Sequence, residues 1–228
     1  MKNLVIVSAG KLGREVHNWA VQAIRAGSRW QIKGFLDDRQ NSHDGIPGLP
    51  PILGPVDSYQ IQPDDCFLCA IGDPVWKRKY QSELEQRGAQ FATLVHPTAL
   101  IGINVEIGPG TIICPFCHVS CDVRMGRGVF IGTHSGVAHD TRFGDFCQIS
   151  GSCEINGSAT LDEGVFLGSH ATILPDARVE KWSYVGAHSV VLRKVKAYQK
   201  VFGVPAVVIG TTRETTKGCA DTGNQDAD

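Results

Sequence analysis

From His96 to Val191 the sequence divides without remainder into sixteen blocks of six residues, running from HPTALI and GINVEI to EKWSYV and GAHSVV. Every block ends in an apolar residue, and its fourth position is always Ala, Val, Thr, Cys or Ser. A period of six matches neither the 3.6-residue turn of an amphipathic helix nor the two-residue alternation of a half-exposed strand. It fits a coil with three short flat faces: each block supplies one face, its large apolar residue fills the interior, and its small residue lies at a corner. Three blocks complete a turn, so residues 18 apart stack, and sixteen blocks make a little over five coils. Such a coil buries its apolar ladder only by stacking on its neighbours, which this array is long enough to do. The unbroken period leaves no room for a long projecting loop.

The residues before the array have a different texture. Leu4 to Val7 reads as a buried strand, followed by a Gly-containing turn and then Leu12 to Ala26, where Val16, Trp19, Ala20, Ala23 and Ile24 recur at helical spacing. Ile32 to Leu36, Phe67 to Ile71 and Phe91 to Val95 read as strands, and Val75 to Arg87 as a helix. Strands alternating with helices predict a small parallel α/β domain over residues 1–95, too short for a complete dinucleotide-binding fold. The repeat domain with its C-terminal extension is expected over 96–213, and the polar residues 214–228 as a disordered tail.

A formal net charge of -1 argues against a protein that works by neutralising nucleic-acid phosphates. No apolar run approaches the roughly 18 residues needed to cross a bilayer, and Leu4 to Val7 is too short for a secretion signal. The expected setting is the cytoplasm, with the eight cysteines as thiols. Cys66-x-x-Cys69 and Cys114-x-x-Cys117 suggest zinc, but Cys117, Cys147 and Cys153 occupy the small corner position, and residues three apart on a strand face opposite ways. No metal is expected.

Several motifs carry a resemblance: the Ser8 to Gly13 turn, Phe35-Leu36-Asp37-Asp38, Ala70-Ile71-Gly72-Asp73 followed by Arg78-Lys79, Leu94-Val95-His96-Pro97, Val137-Ala138-His139-Asp140, and the closing Val201-Phe202-Gly203-Val204-Pro205-Ala206. Together with the hexapeptide array they make residues 3–210 resemble the NeuD/PglD-type sugar acyltransferases, which include bacillosamine, perosamine and sialic-acid acetyltransferases. The resemblance implies an α/β domain that presents an activated sugar, then a left-handed parallel β-helix that transfers an acetyl group from acetyl-CoA. It also implies a homotrimer, a nucleotide-linked amino sugar as substrate, and a place in cell-surface polysaccharide or glycan biosynthesis.

Within that family the His-Glu or His-Asp pair is catalytic and matches His139 and Asp140. An imidazole takes a proton near neutral pH, and a carboxylate beside it fixes the tautomer. His139 is second in its block and points outward, towards a neighbouring subunit's cleft. Gly157, one coil further on, offers a backbone N–H to the oxyanion. Gly168, Ser169, Gly186 and Ala187 continue along the rod as a path for the pantetheine arm, with Pro205 in the closing segment. Arg193, Lys194, Lys196 and Lys200 supply charge for the CoA phosphates. Ser8-x-Gly10-x-x-Gly13, after a strand and before a helix, aims backbone N–H groups at a phosphate. Substrate contacts are accordingly expected from Ser8, Ala9, Gly10, Lys11, Asp37, Asp38, Gly72, Asp73 and Arg78. Where the family often carries Asn, a second active-site His and a Gly-Gly pair, this chain has Gly132, Gln148 and Asn156-Gly157, departures that surround the acyl-transfer cleft. Ser8 and Leu12 stand where the family usually has Gly and His.

Three other readings share these residues: a sugar O-acetyltransferase of the sialic-acid type, a non-catalytic sugar-nucleotide binder, and a zinc hydratase. The last follows from His134-x-x-x-x-His139, a spacing resembling the ligands of β-helical carbonic anhydrases, but Thr98 stands where their third histidine would fall.

Overall fold

The computed structural model describes residues 1–43 and 45–212; the expected tail at 214–228 lies outside the described residues. Four parallel strands open the chain, β1 (Lys2–Val7), β2 (Trp30–Leu36), β3 (Asp65–Cys69) and β4 (Gln90–Phe91), in the spatial order β2-β1-β3-β4. Helices α1 (Lys11–Arg25) and α2 (Pro74–Gln86) provide the crossovers after β1 and β3. Leu4 and Ile6 of β1 bury one way with Val16, Ala20 and Ala23 of α1, while Val5 and Val7 bury the other way with Leu84 of α2. The cysteines of β3 divide likewise: Cys66 joins the first cluster and Cys69 the second, so they present no paired site.

The expected strand Phe91 to Val95 is divided between the two parts of the chain. Phe91 pairs with β3, whereas Leu94 and Val95 pair with Ile112 and Ile113 and begin the solenoid. The coil therefore starts one block earlier than the array suggests.

From there to Phe202 the chain winds through about six turns of two-residue strands, forming three parallel sheets with an 18-residue register. One sheet runs from Leu94–Val95 to Gln199–Phe202 (the first face), one from Leu100–Ile101 to Val190–Val191 (the second), and one from Glu106–Ile107 to Lys194–Val195 (the third). The last apolar residue and the small fourth residue of each block both point inward, so Cys117, Cys147 and Cys153 are buried as packing residues. The third residue of nearly every block takes left-handed backbone geometry, with φ 60 at His134, 59 at Asp140 and 58 at Trp182. That conformation turns each corner. At the top, Leu192–Val195 is two residues short, so Arg178 pairs with Lys194 rather than with a residue 18 on. The hairpin Gln199–Phe202 with Val207–Thr211, which has Pro205 in its turn, closes the solenoid.

The α/β part lies against the lower half of the first face. Trp19 packs against Phe130 with ring centroids 6.3 Å apart, His96 Nε2 meets Gln22 at 2.8 Å, and Arg127 bridges Glu85 and Asp145. Lys77 of α2 is fully buried, donates to Gln148 Oε1 at 2.6 Å and lies over the Phe130 ring. Burial pushes its ammonium down to about 8, since no carboxylate is close enough to offset desolvation; Cys69, Cys147, Cys114 and Asp73 act weakly the other way.

A linked stability change follows. Between pH 8 and the ordinary lysine value the folded chain has released a proton that the unfolded chain still binds, so Lys77 makes stability rise with pH across that window, by at most about 3 kcal/mol. The buried Cys69 and Cys147 thiols, both pushed up to about 12, work in the opposite direction above their ordinary value. Urea unfolding of the wild type and of Lys77→Met from pH 7 to 9.5 isolates the term. The wild type should gain on the variant as pH rises; parallel curves would show that Lys77 keeps an ordinary pKa.

Candidate active site

Residues 138–141 form the corner between the second and third faces, joining Gly136–Val137 to Arg142–Phe143. Position two of this corner projects His139 and the left-handed position three projects Asp140, both well exposed. The left-handed backbone at Asp140 swings its carboxylate back, so that Asp140 Oδ2 lies 2.8 Å from His139 Nδ1. An ionised carboxylate only accepts, so Nδ1 carries the proton and Nε2 is the basic nitrogen. One coil on, Gly157 lies beneath the imidazole: a Cβ there would be 2.7 Å from His139 Cε1 and 2.9 Å from Nε2. The Gly157 N–H donates to no group among the described residues.

The expected pantetheine path does not follow this corner. Gly168, Ser169, Gly186 and Ala187 join the first face to the second, so within one chain they lie on a different edge of the prism from Gly157. Gly168 and Gly186 are also buried: the first is small because the Ala187 backbone stacks on it, the second because the Phe202 ring covers it. Ser169 and Ala187 remain exposed. The basic end also divides. Lys194 is paired with Glu180 at 2.7 Å, and Lys196 lies on the corner between the third and first faces. Arg193, by contrast, shares the His139 corner and has no ion-pair or hydrogen-bond partner for its guanidinium among the described residues. At ~4.8 Å per coil, three coils place it about 14 Å beyond His139.

The second half of the site lies at the C-terminal ends of β1, β2 and β3, where an open parallel sheet offers its crevice. A cleft of about 340 Å³ is bounded there by Ser8, Asp37, Asp38, Val56, Trp76 and Tyr80, among others. Ser8 has φ 79, a left-handed conformation costly for serine and natural for the glycine usual in the family. Gly13 is small because a Cβ there would strike the Ser8 carbonyl. Gly10 caps α1, and Lys11 opens it on the exposed side. The Asp37 carboxylate is used inside the chain: Oδ2 accepts from the Ala9 N–H at 2.8 Å and Oδ1 from the Arg39 N–H at 3.0 Å. It holds the turn, and Asp38 is the acid left facing solvent.

Gly72 and Asp73 line a neighbouring cleft, with Asp73 Oδ1 capping α2 through Val75 and Trp76. Arg78, expected at the substrate, lies over the Trp182 ring at 4.6 Å, at the wall of this same cleft, and reaches Glu163. Gln148 is buried under Lys77 and does not line the His139 corner, while Gly132 lies on the first corner, close against the Gly151 backbone. Asn156 does share the His139 corner and donates to the Ile173 carbonyl at 2.8 Å. His134 stacks on Phe116 and His170 on His188 along the first corner, and no set of three metal-ligating side chains converges among the described residues. No helix among them is long and apolar enough to cross a membrane.

A hexapeptide solenoid with an outward histidine–carboxylate pair and an α/β crevice in front defines a β-helical acyltransferase. Residues 3–84 match the PglD N-terminal domain family. The chain is 26% identical over 164 residues to GDP-perosamine N-acetyltransferase of Escherichia coli O157:H7, covering 67% of this chain and 69% of that one. It is 30% identical over 117 residues to UDP-N-acetylbacillosamine N-acetyltransferase of Bacillus subtilis, covering about half of each (50% and 51%). PerB from Caulobacter crescentus, solved with CoA and GDP-perosamine, superposes with a TM-score of 0.81 at 23% identity over 92% of this chain and 98% of that one, which shows the left-handed β-helix fold. The chain is thus similar to NeuD/PglD-type sugar acetyltransferases in its N-terminal domain, in its sequence over two thirds of its length, and in its fold.

Proposed function

We propose that this chain transfers the acetyl group of acetyl-CoA to the amino group of a nucleotide-linked amino sugar. The observation that carries the reading is the His139–Asp140 pair, seated over Gly157 with its basic nitrogen free. Nε2 takes the proton as the amine attacks the thioester carbonyl, Asp140 steadies the imidazolium, and the free Gly157 N–H meets the oxyanion. As the C–S bond breaks, the thiolate of CoA leaves and is protonated to the thiol. The Ser8–Gly10 turn and the Asp38 edge of the first cleft receive the nucleotide. The relatives named above, an enzyme acting on GDP-perosamine and a fold neighbour binding it with CoA, support both substrates. Seven described cysteines, all free thiols, fit a cytoplasmic setting.

Gly157 lies on one edge of the prism and the exposed Ser169 and Ala187 on another, so a single pantetheine arm meets both only between two copies. The homotrimer implied by the family resemblance supplies that arrangement. Its phosphates then fall near Arg193. Arg193→Ala should raise the acetyl-CoA KM about fivefold to tenfold with little change in kcat, an effect that shrinks with salt, whereas Lys194→Ala should do much less. Equal effects of the two would place the phosphates elsewhere.

The reading is tested by following CoA thiol release while acetyl-CoA is offered with nucleotide sugars that carry a free amine and with matched ones that carry only hydroxyls. Release confined to the amines supports it; release with hydroxyl sugars alone would make the enzyme an O-acetyltransferase.

A further inference from the structure

The exposed Ser169 and Ala187, given above as the far side of the pantetheine path, belong to an outward column on the corner between the first and second faces. Counting down in eighteens, the column continues to Gly151 and Thr133. In a ring of copies whose axis runs along the prisms, equal residues stand at equal heights, so residue numbers give the level at which this column meets a neighbour's His139. With coils about 4.8 Å apart, Thr133 lies about 1.6 Å below His139 and Gly151 about 3.2 Å above it. Both side chains then rise. A Cβ on Gly157 would stand 2.9 Å from His139 Nε2, and a Cβ on Gly151 would stand 3.2 Å from Thr133 Oγ1, so each group reaches towards a glycine one coil up. The basic nitrogen and the hydroxyl therefore share one level on the two sides of the gap.

Thr133 is half-buried, and its hydroxyl has no hydrogen-bond partner among the described residues. The side chains beside it are engaged: His134 stacks on Phe116, and Ser135 Oγ donates to the Ser150 carbonyl at 3.1 Å. Attack on a thioester puts a full negative charge on the former carbonyl oxygen, and preorganised donors on that oxygen lower the barrier. Gly157 offers one N–H from the His139 side. We infer that Thr133 of the adjacent copy is the second oxyanion donor, completing across the interface a site that one chain leaves half-built. This rests on the acetyl-transfer and shared-site readings given above. Thr133 Oγ–H donates and keeps its proton; the proton of the amine goes to His139 Nε2. The electron pair returning from the oxygen breaks the C–S bond and expels the thiolate.

Thr133→Val keeps the outline of the side chain and removes the hydroxyl. With acetyl-CoA and GDP-perosamine, or a UDP-linked 4-amino sugar, it should lower kcat about tenfold to a hundredfold and leave both KM values within about twofold. Thr133→Ser should restore most of the rate, which a packing defect would not allow. Mixed oligomers test the supply across the interface. In trimers reassorted at random from Thr133→Val and His139→Ala subunits, about a quarter of the sites join an intact His139 to an intact Thr133, so activity should rise well above the mean of the two parents. No recovery would show that Thr133 does not serve a neighbour's site. Unchanged kcat in Thr133→Val, or a loss carried by KM alone, would remove it from the oxyanion while the transfer reading stands. If the wild type acetylates neither amino sugar, the transfer reading fails and takes the assignment with it.

Discussion

His139→Ala should lower kcat by about a hundredfold to ten-thousandfold while the affinity for CoA stays near the wild-type value. The imidazole is well exposed and packs into no core, so its removal costs little stability and the loss can be read as chemistry. Asp140→Asn should cost less, because the amide still occupies the place but can no longer act as an anionic acceptor for the Nδ1 proton. Since His139 lines neither cleft of its own chain, the proposed shared site has complementation as a further consequence. Mixed oligomers of His139→Ala subunits with subunits blocked at the nucleotide cleft by Asp38→Trp should recover part of the activity that neither variant has alone. Unchanged turnover in His139→Ala would remove the assigned base.

Gly157→Val should be nearly as damaging without touching a titratable group. A β-carbon at that position already falls 2.7 Å from the imidazole, and a branched side chain pushes the ring off the Gly157 N–H that it shares the site with. A displacement of about 1 Å at a reacting group costs on the order of a hundredfold in rate. The KM for the nucleotide sugar should hardly move, because the first cleft, proposed for the nucleotide, does not include Gly157, and thermal stability should hold, because the His139 side chain it displaces is open to solvent. Gly157→Ala is the milder test of the same idea and should fall between. A fully active Gly157→Val enzyme would mean that the imidazole works from a different rotamer.

Much of this was legible from the residues. The six-residue period identified the solenoid because one inward apolar residue per block is a requirement of the coil, and a requirement on every block cannot be hidden. Helix α1 was legible for the same reason, through Val16, Trp19, Ala20 and Ala23. What the period concealed was the edge of the prism on which each block turns. Gly157 and Gly168 look like successive small residues on one path, yet they belong to blocks that turn at different corners, and only counting in eighteens separates them. Small size was also ambiguous, since a β-carbon at Gly186 would meet the Phe202 ring of its own chain. The two-residue deletion before Val195 shifted the basic end, so that Lys194 went to Glu180 and Arg193 was left on the His139 corner.

Contacts across the two parts of the chain left no local signal. Lys77 and Gln148 are 71 positions apart, and neither belongs to a pattern that announces burial. That α2 carries Arg78 onto Trp182, across 104 positions and at the wall of the cleft that Gly72 and Asp73 line, has no local signal either. Phe166 and Tyr184 occupy outward positions where polar residues are the rule, and that irregularity in the array was the available sign of the second cleft.

The central claim, acetylation of a nucleotide-linked amine through His139, is met most directly by the product itself. The purified chain is incubated with acetyl-CoA and GDP-perosamine, and in parallel with acetyl-CoA and a UDP-linked 4-amino sugar, and the sugar nucleotides are recovered for mass spectrometry and NMR. The account predicts that one of them gains a single acetyl group on its amino nitrogen, in step with CoA released, and that His139→Ala leaves it almost unmodified. An acetyl group found on a hydroxyl, or CoA released with the amine untouched, would contradict it.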